Sequence, residues 1–139
     1  MGRILAIDYG QKRCGLAVTD ELAIIANSLD TVSTKELFTF LSFYLKKEVV
    51  DVIVIGEPKQ MNNQPSDAVK YINPFIGRLK KEYPLLKIER IDERFTSRMA
   101  FQTMIDAGLR KKARQNKALV DSISATIILQ SYLETKNMR

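Results

Sequence analysis

A chain of 139 residues, 45% of them apolar, suits one compact domain over 1–139 and leaves little room for two. With no histidine and a single cysteine, Cys14, it excludes Ser-His-Asp and Cys-His catalysis, histidine- or cysteine-built zinc sites and an internal disulfide. Its net charge of +6 suits a polyanionic partner without requiring one.

No apolar run reaches the roughly 18 residues needed to span a bilayer. The opening MGRILAIDYG lacks the long apolar core of a signal peptide. The expectation is therefore a cytoplasmic protein with no membrane partner.

Arg3–Tyr9 and Cys14–Thr19 read as strands, and the short GQKR between them predicts an antiparallel hairpin. Ala23–Asn27 is a candidate third strand. Ser33-Thr-Lys-Glu36 has the spacing of a capping box, so a helix is expected from there to about Glu48, with Leu37, Phe40, Leu41, Tyr44 and Leu45 on one face. Val49–Gly56 is dense in β-branched residues and reads as a strand covered on both faces. A helix is expected after Ser66, running to about Tyr83, with Pro74 kinking or breaking it. Leu86–Ile91 is another strand. Ser97–Ala107 reads as a short helix closed by Gly108, and Arg110–Lys117 as a basic connector. Ala118–Glu134 reads as a long helix with Val120, Ile123, Ile127 and Ile128 toward the core. A hairpin start followed by alternating strands and helices implies a mixed sheet flanked by helices.

Three acids stand out by position. Asp8 falls where the apolar run ILAI calls for another core residue, and a carboxylate there is costly unless paired, hydrated or bound to a cation. Glu93 sits just past a strand end in RIDERFTS. Asp121 sits on the last helix, where the small residues Ser122, Ser124 and Ala125 allow close approach to the sheet. Glu93 and Asp121 taken singly have ordinary readings as surface charges. Without histidine or a second cysteine, any metal chemistry falls to carboxylates, which favour hard cations such as Mg²⁺ or Mn²⁺.

The cations have a pattern too. Arg110, Lys111, Lys112, Arg114 and Lys117 crowd together with no acid between them; Lys12 and Arg13 lie in the hairpin after Asp8, and Arg94 follows Glu93. Such groups give salt-dependent, largely sequence-independent contacts to phosphates, or else form a solvated basic surface. Tyr9 and Phe95 adjoin these residues with the flat faces that base stacking needs, though core packing is the stronger reading for Phe95.

IDYGQKRCGLAVTD, RIDERFTS and KALVDSISATIILQSYL resemble, in this order, the three motifs of the YqgF (RuvX) family of ribonuclease H-like nucleases, with Ser97 where the family has a second Thr. The resemblance covers essentially the whole chain. It implies an α/β ribonuclease H-like fold with a mixed five-stranded sheet, antiparallel in its first three strands and parallel in the later ones, flanked by helices. It implies that Asp8, Glu93 and Asp121 converge on Mg²⁺ or Mn²⁺ to hydrolyse phosphodiester bonds. The substrate implied is precursor 16S rRNA, trimmed at its 5′ end during ribosome biogenesis, with ribosomal particles as possible company. The same proteins were earlier assigned to Holliday junctions, so branched DNA is the alternative, and a non-catalytic nucleic-acid-binding module is another. The family usually has Gly-Leu-Pro after its fourth strand, whereas this chain has Gly56-Glu57-Pro58. Glu57 is thus either a fourth metal ligand or an exposed loop acid. Asp8-Tyr9-Gly10 also resembles the phosphate loop of actin-like ATPases and sugar kinases, but those close two such domains around ATP and this chain is too short for both. Oligomeric state is not legible in the sequence.

Overall fold

The computed structural model describes residues 2–57, 69–92 and 117–137. They form strands β1 (Arg3–Asp8), β2 (Arg13–Thr19), β3 (Ala26–Ser33), β4 (Val50–Glu57) and β5 (Lys87–Asp92), and helices α1 (Leu37–Lys47), α2 (Val69–Glu82) and α3 (Lys117–Asn137). The sheet order is β3-β2-β1-β4-β5. β1, β2 and β3 pair antiparallel, while β4 runs parallel to β1 and β5 parallel to β4. This is the mixed five-stranded sheet expected from the order of elements. The candidate helix over 97–107 and most of the basic connector lie outside the described residues.

The sheet is covered on both faces, and strand alternation sorts its residues between two cores. Leu5 and Ile7 of β1, Leu16 of β2 and Ile53 and Ile55 of β4 pack with Leu37 and Leu41 of α1 and Ile72, Phe75, Ile76 and Leu79 of α2. Ile4 and Ala6, Ala17, and Val52 and Val54 pack with Ala125, Ile128, Leu129 and Leu133 of α3. Ile127 and Ile128 are buried as expected, and Ile123 is only half-buried. Small alanines at 6, 17 and 125 take part in this second core, and of the small residues after Asp121, Ala125 is buried and Ser124 half-buried.

Three local expectations are corrected. The third strand is Ala26–Ser33, not Ala23–Asn27; Leu22, Ile24 and Ile25 lie in the preceding turn and are exposed at 63%, 65% and 60%. Ser33 makes no side-chain capping bond: Thr34–Glu36 form a single 3₁₀ turn, and α1 starts only at Leu37. The Thr34 N–H donates instead to the Lys12 carbonyl (3.0 Å) and the Thr34 hydroxyl to the Gly10 carbonyl (2.6 Å), tying the helix entry to the β1–β2 turn. Pro74 does not break α2, which runs from Val69 to Glu82. One missing amide bond is outweighed by the apolar row Ile72, Phe75, Ile76 and Leu79 on its buried side, each worth about 1.5–3 kcal/mol when fully buried.

The far end of β1 is also pinned. The β1–β4 ladder shifts register between Arg3 and Ile4, and there the Ile4 N–H donates to the Thr19 hydroxyl at 2.9 Å. Thr19 is fully buried. Thr19→Val keeps the shape and strands a buried amide, so it should cost about 1–3 kcal/mol. The readout is a lower urea midpoint at unchanged slope, with Thr19→Ser close to the parent.

Candidate active site at the carboxyl edge of the sheet

Three neighbouring parallel strands end on one edge of the sheet, and each ends on an acid. β1 ends at Asp8, β4 at Glu57 and β5 at Asp92, the last two in direct register. Carboxyl ends of parallel strands are where open α/β sheets place ligands, because the backbone stops there and side chains gather without a covering layer. Asp8 is the final residue of its strand and is half-buried, so it does not interrupt the buried run Ile4–Ile7 but closes it. The desolvation problem posed by a carboxylate among core residues is correspondingly smaller.

Alternation gives Asp8 the same face as Ile4 and Ala6, the face packed by α3. Its neighbours across the sheet are glycines. Gly15 of β2 is its register partner, and one step beyond the Ile7–Ile55 pair β4 brings Gly56 alongside. Both glycines are buried. Asp8 therefore stands between two positions that carry no side chain. Position 121 of α3 lies on the four-residue row of Ala125, Leu129 and Leu133, the row that packs on this same face. Glu93 lies outside the described residues, one residue past the end of β5. Among the described residues no group of three or more acids or cysteines is close enough to hold a metal ion. Asp92 is an edge position that the sequence reading did not single out; its register with Glu57 became visible only through strand pairing.

Of the expected cations, Lys12 is exposed in the β1–β2 turn, and Arg13 opens β2 with the strand parity of Gly15, hence of Asp8. Lys117 is the first residue of α3. Arg94, Arg110, Lys111, Lys112 and Arg114 lie outside the described residues, as does Phe95. Tyr9 gives part of its ring to the core. Its ring stacks on Phe75 of α2 with centroids 4.6 Å apart and 25° between planes, and burial, helped by nearby Cys14, pushes its hydroxyl pKa up. One aromatic face of Tyr9 is thus spent on the core.

The sheet order, with its antiparallel first three strands and parallel later ones, is that of the ribonuclease H-like fold. In fold the chain is similar to Thermus thermophilus RuvC, solved in complex with a Holliday junction substrate, at a TM-score of 0.61 over 98% of this chain and 97% of that one, with 14% identity. The chain belongs to the RuvX family, described as Holliday junction resolvase, whose profile matches residues 2–135. A Bacteroides fragilis relative is 61% identical over 138 residues, 99% of this chain and 100% of its own length, and one from Flavobacterium psychrophilum is 60% identical over 136 residues, 98% and 99% respectively. Both carry the name "Putative pre-16S rRNA nuclease". The family and the fold expected from the three motifs are thereby borne out.

Proposed function

We propose that this chain is a divalent-metal-dependent nuclease that hydrolyses phosphodiester bonds and trims the 5′ end of precursor 16S rRNA. The observation that carries the reading is the position of Asp8: the end of a rigid central strand, beside two glycines, on the face covered by α3. Relatives identical at about three positions in five over their full length bear the name of that activity.

The donor set fits a hard cation. Asp8, Glu93 and Asp121 would hold it, with Glu57 as a fourth donor, and all four offer only oxygen. A bound Mg²⁺ or Mn²⁺, or a pair of them, supplies charge to offset that building on the phosphate oxygens and favours an ionised attacking water. The chain's own work is positioning. β1 fixes Asp8, while Lys12, Arg13 and the basic group Arg94, Arg110, Lys111, Lys112, Arg114 and Lys117 hold the substrate's phosphates.

The test is a substrate panel with purified protein and Mg²⁺ or Mn²⁺: an RNA carrying the precursor 16S 5′ leader, and a four-way DNA junction. Cleavage of the RNA with the junction left intact is the expected result. The family description keeps resolution of branched DNA as the rival, and symmetric cutting of the junction with the RNA intact would establish that instead. If neither is cut and both are bound, the chain is a binding module.

A further inference from the structure

On the other side of the sheet from Asp8, at the same end, lies a cleft of about 360 Å³. Tyr9, Phe38, Tyr71 and Phe75 give it aromatic walls, and Lys70 and Arg78 stand on its rim. No acid is among the described residues that line it. Tyr71 is 49% exposed, and Lys70 beside it, in the first turn of α2, is exposed too. The Arg78 guanidinium lies 3.8 Å from the centre of the Phe38 ring, its Nε bonds Glu82 at 3.2 Å, and 59% of its side chain still faces water.

Tyr71 is left about half exposed in a cleft that Tyr9, Phe38 and Phe75 also line. Lys70 and Arg78 both line this opening, Arg78 with Glu82 as its ion-pair partner. The Tyr9–Phe75 stack and the Phe38–Phe75 contact (centroids 5.4 Å apart) make a rigid floor that does not need to reorder on binding. Aromatic faces with cations at the rim are what an unpaired nucleotide requires: a π-face for its base and a positive charge for its phosphate. A duplex offers neither face, because its bases are already stacked.

We propose that this cleft binds an unpaired nucleotide of the substrate strand, with its base against Tyr71 and its phosphate met by Lys70 and Arg78. The proposal rests on the nuclease reading of the Asp8 edge. Tyr9 directly follows Asp8, so a single strand crossing the end of β1 meets the carboxylate on one face of the sheet and the cleft on the other. The site therefore selects single-stranded RNA flanking the cut, independently of base identity, since stacking reads no hydrogen-bonding edge.

The experiment measures binding without cleavage, in calcium, using a short single-stranded RNA bearing a fluorescent purine analogue and the same sequence as a duplex. Tyr71→Ala should weaken single-strand binding about 5- to 100-fold and abolish quenching of the analogue, while Tyr71→Phe stays within about twofold of the parent. Lys70→Ala should lower the salt dependence by about 0.7 in log–log slope. Duplex binding should not change with Tyr71→Ala. Tyr71 is a surface position on a helix, where alanine is well tolerated, and an unchanged melting temperature checks that. Equal single-strand binding and quenching by parent and Tyr71→Ala would overturn the cleft, as would equal weakening on duplex. Quenching lost with Tyr71→Ala in a protein that cuts nothing in Mg²⁺ or Mn²⁺ would uphold the cleft and overturn the nuclease reading.

Discussion

Asp8→Asn should abolish metal-dependent cleavage, by about 10³-fold or more, and leave the folded protein at least as stable as the parent when no divalent cation is present. Removing one carboxylate from a site that gathers charge on a phosphate forfeits several kcal/mol of transition-state stabilisation, and each 1.36 kcal/mol is tenfold in rate. The stability half follows from like charges. Acids that converge on one point repel until a cation arrives, and an amide of the same shape relieves that repulsion. Asp8 closes β1 rather than sitting inside its core, so the substitution removes no packing. Melting curves with and without Mn²⁺ separate this account from its rivals. The parent should gain about 2.7 kcal/mol at a cation concentration one hundred times its dissociation constant, and Asp8→Asn should gain far less. Equal trace cleavage by parent and variant would mean a contaminating nuclease. Full cleavage by the variant would remove Asp8 from the chemistry.

The central architecture was legible because β1, β2 and β4 are apolar enough to declare themselves: ILAI, CGLAV and VIVI bury nearly every side chain they present. β3 was misplaced for the opposite reason. ANSLDTVS is an edge strand with no fully buried side chain; only Ala26, Leu29 and Val32 pack partly against the cores, which leaves a weak apolar signal. The more apolar Ala23, Ile24 and Ile25 just before it drew the assignment, yet Ile24 and Ile25 are exposed. The capping box was misread because the chain at this point is held by a distant contact. Thr34, one residue on, was already committed to Gly10 across 24 positions, a contact that no local pattern encodes. The candidate site behaves the same way. Asp8 stood out as a polar residue closing an apolar run, whereas the register of Glu57 with Asp92, the glycines flanking Asp8 and the grouping of Tyr71 with Arg78 and Tyr9 depend on strand pairing and helix packing.

That same Gly10 contact carries the second large effect. Gly10→Ala should lower the cleavage rate by about 10²-fold while every carboxylate remains in place. Gly10 is two residues past Asp8, in the turn that returns the chain into β2. A Cβ built there collides with the Arg13 carbonyl oxygen, a backbone atom that cannot rotate away. The Gly10 carbonyl is also held by the Thr34 hydroxyl at 2.6 Å and faces the Cys14 sulfur at 3.8 Å. The turn can relieve the collision only by moving Gly10 away from Arg13, which pulls on the Thr34 bond and on the end of β1. Off-ideal packing of this kind costs about 1–3 kcal/mol, so the variant folds with a lower denaturation midpoint. The rate suffers more than the stability because a carboxylate displaced by about 1 Å no longer meets its partners, and misplacement on that scale costs about 10² in rate. Thr34→Val separates the two causes: it removes the bond to Gly10 without the collision, and should show a smaller loss of rate in the same direction. A Gly10→Ala protein with parental cleavage would show that the turn does not set the position of Asp8, and that β1 alone is stiff enough to hold it.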